Sequence, residues 1–482
     1  MTEDEPADRP ALSRRTVILT GVTAGLAAAG IGWYIQGRAS QPGPPPRREF
    51  RSPSPSPTPS TAGWHAPIEM ADLCTPLRSG NDLYLYDTSG SVYALAADTG
   101  ATVWKGDYGI AVDQGVILSG DVVVVAGGQP SSAVLGLDRR SGKQVWRHDT
   151  VGYVPIHPGP RPGSVLVHDA EGVLLLLEAA TGKVVWRSAL PSGDFHFTDV
   201  QRLAVSGPVA LETFGGTLRA DMDDPITHPN TQWLRAVDGA DGTPRWTADV
   251  AAAEWTVVPH AGGGRPGTSG LIDWLSTEVA GFVHVVRSIV APSDDPQFAL
   301  STTSELVGID VQTGKSGWSF SAGMMSRPVV KEDAIYVASA ETPEDPMRIH
   351  GWDARTGREI WTFAPSGDDA EIVNSGVSLA VDGDVLCAGS GYGILALDVR
   401  TGTRVWSVHD GAQSLGGTPV AWRDVVYMTT RSGTAGIRSW RVSDGMERPA
   451  AGPQGERPLL FLADDMLLLR TGDALRAIPF RS

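Results

Sequence analysis

The chain has 482 residues, 41% of them hydrophobic, with a formal net charge of -16 and 2 cysteines. The negative balance excludes sequence-independent nucleic-acid binding, which needs a basic footprint, and disfavours docking of the folded body on anionic lipid. Two cysteines exclude a disulfide scaffold and a multi-thiolate metal or iron–sulfur site.

Residues 1–15 are polar, end in Ser13-Arg14-Arg15 and read as a cytoplasmic n-region. Residues 16–35 carry no charge, and as a helix they would span about 30 Å, the thickness of a hydrocarbon core. The Arg pair before this mild apolar stretch predicts a transmembrane anchor or a twin-arginine signal, the route taken by already folded proteins. A convincing small-x-small cleavage site is missing, and so is a lipobox cysteine. The expected location is the cell membrane with the body extracytoplasmic, or secretion if the segment is cleaved. Residues 36–60 are rich in Pro and Ser and read as a disordered linker. Together with the high Gly and Pro content they give the chain an actinobacterial look.

From residue 61 to 482 one device recurs. A strand runs into a Gly-containing turn, and a Trp follows four residues after the Gly: Gly100/Trp104, Gly142/Trp146, Gly182/Trp186, Gly242/Trp246, Gly314/Trp318, Gly357/Trp361 and Gly402/Trp406. Gly445 closes an eighth, degenerate copy with Pro449 in the Trp place. The basic step is 40–45 residues, with two longer ones of 60 and 72. A period of this size in short apolar strands predicts an all-β propeller of four-stranded antiparallel blades. In each turn the Gly accepts a positive φ and the acidic or hydroxyl side chains cap backbone N–H groups. The Trp is a large plate with one polar N–H, suited to wedging between neighbouring blades.

The C-terminal runs 459–462, 466–469 and 475–480 read as three strands lacking a fourth, and Gly63–Ile68 reads as the missing one. Pairing the two ends would close the ring and remove exposed edges. The expected count is eight blades, taking the over-long region between Gly242 and Gly314 as irregular, with nine as the alternative.

Long connections between second and third strands fall in three successive blades: 215–231, 288–303 and 340–348. They carry Asp221, Asp223, Asp224 and His228, then Asp294 and Asp295, then Glu341, Glu344 and Asp345. In a propeller these connections share one face, so an acidic rim for a basic peptide, an envelope protein or a divalent ion is the candidate site. Asp221-x-Asp223-Asp224 lacks the Gly and distant Glu of an EF-hand loop, and no paired His spacing suits zinc. Cys74 and Cys387 could pair, but their positions in the layout favour two buried thiols.

The repeat Asp398-Val399-Arg400-Thr401-Gly402-Thr403-Arg404-Val405-Trp406, with Asp353-Ala354-Arg355-Thr356-Gly357-Arg358-Glu359-Ile360-Trp361, resembles the PQQ-like (pyrroloquinoline-quinone-type) β-propeller family. That family includes quinoprotein alcohol dehydrogenases, BamB-type outer-membrane assembly subunits and the sensor halves of some bacterial Ser/Thr kinases. The dehydrogenases carry a vicinal Cys pair beneath the cofactor, and this sequence has no adjacent cysteines. The resemblance therefore implies the non-enzymatic branch: a membrane-tethered scaffold or sensor that binds protein, with no cofactor, no metal and no catalytic residue. A PQQ-dependent oxidoreductase is the alternative.

Overall fold

The computed structural model describes residues 63–478, apart from 73, 129–131, 153, 170–171, 191–194, 219–230, 252–268, 293–299, 343, 412–414, 431–435, 449–458, 465 and 473. The regions read as n-region, anchor and linker lie outside the described residues.

Nine sheets are formed among the described residues, in chain order. Blades one to eight occupy 77–106, 112–149, 156–189, 195–251, 269–322, 324–363, 378–409 and 415–448. The strands of each are called A to D from the innermost outwards. Blade six has a split A strand, Met324–Met325 and Val329–Lys331, both paired to Ala334–Ala340. Blade nine joins Leu459–Ala463, Met466–Thr471 and Ala474–Ile478 to His65–Ala66, with Arg476 opposite His65 and Leu475 opposite Ala66. Closure by pairing of the two ends is as expected; the count of eight is not.

The additional sheet is blade five, in the region between Gly242 and Gly314 taken as irregular. Blade five is a regular four-stranded unit whose B and C strands, Phe282–Pro292 and Leu300–Asp310, are 11 residues each. Extra sequence has lengthened a hairpin there rather than destroyed a blade. The same happens in blade four, where strand B continues to Leu218 and strand C starts at Thr231.

Blade two shows why these sequences make strands. Val122–Gly127 is β-branched over four positions and buried throughout, as a strand covered on both faces must be. The turn that follows strand C is closed by the Gly142 N–H donating to the Asp138 carbonyl (2.8 Å). Asp138 Oδ1 accepts from the Ser141 N–H (2.8 Å) and hydroxyl (2.5 Å), and these bonds hold its carboxyl below the usual range. A bulge at Gly136/Leu137 then sets Trp146 opposite Gly136. The residue across from the Trp is equally small in blades one, four, five, six and seven: Ala94, Ala236, Gly308, Gly351 and Ala396. A Cβ at Gly136 would overlap the Trp146 indole, whereas blade three accommodates Leu176 opposite Trp186.

The seams follow from that geometry. Each indole N–H donates to a backbone carbonyl of the next blade, three residues before that blade's turn Gly: Trp104 to Arg139, Trp146 to Ala179, Trp186 to Gly239, Trp246 to Val311, Trp318 to Ala354, Trp361 to Val399 and Trp406 to Val442, at 2.7–3.1 Å. Its ring covers the Gly itself, leaving no space for a Cβ at Gly142, Gly182, Gly242, Gly314, Gly357, Gly402 or Gly445. Trp64 makes the same contact from blade nine to blade one, donating to Ala97 at 2.7 Å and covering Gly100. The Gly and the Trp of one repeat thus serve opposite neighbours. Truncating one buried indole of this kind costs about 3–5 kcal/mol.

Candidate partner-binding rim

Strand direction separates two faces. A–B and C–D turns lie on one, the turn face; B–C and D–A connections lie on the other, the rim face. His65–Ala66 is a D strand, so the chain enters it from the turn face, opposite the rim.

On the rim face, the B–C connection of blade six holds Glu341, Glu344 and Asp345, all exposed. Asp345 is committed to its own loop, with Oδ2 accepting from the Thr342 N–H (3.0 Å) and hydroxyl (2.9 Å). Glu341 and Glu344 have no side-chain partner among the described residues. Asp221, Asp223, Asp224, His228, Asp294 and Asp295 lie outside the described residues. The ends of the strands that carry them, Leu218 and Thr231, Pro292 and Leu300, rise on this same face.

A short helix, α1 (Asp368–Asn374), occupies the D–A connection between blades six and seven and was not expected from the sequence. Gly367 enters it at φ 56°, and Asp368, Asp369 and Glu371 stand in its first turn, where carboxylates suit the helix dipole. Ile372 and Val373 are fully buried against blade seven. Asn374 Oδ1 accepts from the Met347 N–H at 2.8 Å, fastening the helix to the blade-six connection. Asp369 pairs with Arg404 (3.0 Å) and Glu371 with His409 (2.7 Å). Asp368 is exposed and belongs to a D–A connection, so it lies on the same face as Glu341 and Glu344.

A second charged cluster is buried in the seam between blades three and four. Glu212 and Arg235 stand directly opposite each other on strands B and C of blade four and form an ion pair, both fully buried. Arg235 also donates to the carbonyls of Ala189 (2.5 Å) and Ser188 (3.2 Å) in blade three. His168 Nε2 of blade three lies 3.5 Å from Glu212 Oε2. The matching pair in blade two is Val125 and Leu135. Burial pushes the Glu212 carboxyl up to about 7, against the opposing pull of Arg235. Such a pair contributes little net stability, but removing one partner is costly.

Both cysteines are free and buried, and burial raises each thiol to about 12, so they are inert packing groups. Among the described residues no group of three or more His, Cys, Asp or Glu is placed to hold a metal ion.

Nine radially stacked sheets, indole-to-Gly seams and Asp-capped turns define a PQQ-like β-propeller. The family model described as "Outer membrane protein assembly factor BamB" matches residues 88–220 and 230–476. The chain belongs to that family. It is 23% identical over 460 residues to a polyvinylalcohol dehydrogenase of Sphingopyxis sp., covering 76% of this chain and 68% of that one. It is 30% identical over 112 residues to the outer membrane protein assembly factor BamB of Burkholderia pseudomallei, covering 23% of this chain and 29% of that one. Among solved structures, BamB from Moraxella catarrhalis aligns with 86% of this chain and 98% of its own, at 16% identity and a TM-score of 0.43.

Two expectations are corrected. The relatives named are proteobacterial, which overturns the actinobacterial reading. High Gly content follows from the architecture instead, since each C–D turn of blades one to eight places a Gly at positive φ. The transmembrane-helix reading is not carried further: among the described residues no helix is long and apolar enough to cross a membrane. The non-enzymatic reading agrees with the family matched and with the lack of a vicinal cysteine pair in the sequence.

Proposed function

We propose that this protein is an extracytoplasmic scaffold that binds an envelope protein through the rim face, and that the partner presents a basic segment there. The carrying observation is the exposure of Glu341, Glu344 and Asp368, none with an ion-pair partner among the described residues, on the face turned away from the point where the chain enters the ring. Asp221, Asp223, Asp224, His228, Asp294 and Asp295 complete the proposed surface. Loops on a rigid scaffold are where partners are usually engaged, and complementary charge sets their encounter rate and selectivity. The assembly-factor name of the matched family supports a protein partner over a small substrate.

The test is capture from a cell-envelope extract by the wild-type protein and by a Glu341→Gln, Glu344→Gln, Asp368→Asn variant of equal stability. The variant is expected to lose the partner by about tenfold or more, and the wild-type complex to weaken with salt. Equal, salt-insensitive capture by both would contradict the rim assignment. Dye reduction dependent on added quinone and calcium would contradict the scaffold reading itself.

A further inference from the structure

In blades one to seven the strand-D Trp stands opposite a strand-C residue, and that residue stands opposite one on strand B. In six of these blades the strand-B residue is Tyr84, Val124, Leu166, Leu211, Tyr336 or Cys387. All are uncharged at neutral pH and stay so in mild acid. Blade five places His284 there, opposite Gly308, which in turn faces Trp318.

His284 is fully buried in the seam between blades five and six. Its Nε2 lies 2.7 Å from the Ala354 carbonyl of blade six, so this nitrogen carries the proton and donates. The same carbonyl accepts the Trp318 indole N–H at 3.1 Å, with the two rings 5.6 Å apart. Nδ1 faces the Ser276 hydroxyl at 3.3 Å. That oxygen already donates to the Thr277 carbonyl (2.6 Å) and accepts the His284 backbone N–H (2.8 Å). A second proton on the ring would therefore bring a charge into a site closed to water.

No charged group around the seam is placed to pair with it among the described residues. Asp310 and Asp353 are bonded into their own C–D turns by Thr313 and Thr356, and Arg355 is exposed. Glu278 of blade five accepts from the Ser206 hydroxyl of blade four, and Lys331 of blade six donates to the Gly383 carbonyl of blade seven. Arg287 and Glu305 pair with each other on the opposite face of blade five, and His350 of blade six pairs with Glu359. The apolar residues gathered with Trp318 and Ala354 are Trp274, Val286, Leu306 and Ile335. Burial holds the His284 imidazole below its usual value of 6.5, against the opposing pull of the Ala354 bond.

We propose that His284 makes the seam between blades five and six an acid-sensitive joint of the ring, closed while the imidazole is neutral and drawn open by proton uptake. The ring binds a proton more tightly once the seam has parted and water reaches it. Opening therefore gains nothing above the ordinary histidine range and becomes easier as pH falls below it, by up to about tenfold per pH unit. Glu212, between blades three and four, acts in the opposite sense, so the two seams must be read separately. Blades five and six carry Asp294 and Asp295, and Glu341 and Glu344, on their B–C connections, so the joint sets the spacing between these pairs. That consequence rests on the rim reading above; the joint itself does not.

Hydrogen exchange read by mass spectrometry on the full chain, at pH 5 and 7.5 and corrected for the intrinsic rate at each, tests the joint without any partner. Strands Ser316–Ala322 and Arg348–Asp353, on the two sides of the seam, are expected to open at least about tenfold more readily at pH 5, relative to Val122–Gly127 of blade two and Val385–Ser390 of blade seven. His284→Leu installs the residue that blades three and four carry at this place. It should keep the seam closed at both pH values, since Trp318 still holds the Ala354 carbonyl. Equal relative protection at the two pH values in the wild type would overturn the joint, and so would an acid response that survives in His284→Leu. Should that variant fail to fold, the ¹⁵N resonances of the wild-type His284 ring decide. Titration in step with the loss of protection supports the joint, and titration while the seam stays protected overturns it.

Discussion

The indole of Trp146 lies flat over Gly182 of the following blade. A Cβ built on Gly182 would sit 2.6 Å from the ring, while the indole N–H donates to Ala179 at 2.8 Å. One Gly answers two demands here, a φ of 68° and the absence of a side chain. Gly383 has the first demand alone, with φ 54° and open space where a Cβ would go.

The two positions separate strain from overpacking. Gly383→Ala is expected to cost about 1 kcal/mol, the left-handed backbone term. Gly182→Ala adds displacement of a wedged indole, for a total of about 2–4 kcal/mol. Urea unfolding midpoints of both variants check this, and equal losses would show that the indole yields freely.

Not every buried indole is a lock. Trp406 donates to Val442 at 2.7 Å, whereas the fully buried Trp440 has no acceptor for its N–H among the described residues. Trp406→Phe strands a buried carbonyl and should cost about 2–3 kcal/mol. Trp440→Phe removes an unsatisfied donor along with some volume, so the terms oppose and the net change should stay within about 1 kcal/mol. Thermal or urea unfolding gives the order, and a larger loss from Trp440→Phe would contradict it.

The seam between blades three and four should set a pH dependence. Glu212 has a folded pKa raised from 4.5 to about 7, chiefly by burial. Between those values the folded protein holds a proton that the unfolded chain has released, so stability falls as pH rises through the window. The slope is at most about 1.4 kcal/mol per pH unit. Carboxyls such as Asp138 and Asp353, lowered by hydrogen bonds from Ser141 and Thr356, act in the opposite sense and only below the usual carboxylate range. Unfolding measured from pH 4.5 to 7 should lose this component in Glu212→Gln. An unchanged slope would place the titration elsewhere.

The ring was legible in the sequence because one spacing carries it. Gly, then Trp four residues on, recurs at a step that fits one four-stranded sheet, and the end strands could be matched by what each lacked. Blade five was misjudged because its extra residues resembled a breakdown of the repeat, whereas long β-hairpins absorb insertions without disturbing the blade. Helix α1 was missed because seven residues with only Ile372 and Val373 as an apolar side give almost no periodicity. Ser366-Gly367-Asp368-Asp369-Ala370-Glu371 was the available signal. Nothing in the sequence around Glu212 or Arg235 marks either charge as buried. Their pairing is set by a register across residues 219–230, which no local pattern reveals. The degenerate eighth repeat has a physical reason that the sequence alone did not supply, since an indole in blade eight would have no turn Gly to cover.

The arrangement of the rim rests on the seams, and the indole protons report on these directly. In protein labelled with ¹⁵N at its 15 tryptophans, the indole N–H groups of Trp64, Trp104, Trp146, Trp186, Trp246, Trp318, Trp361 and Trp406 should all resist exchange with solvent. Rapid exchange throughout that set would contradict indole-locked seams, and with them the placement of the rim.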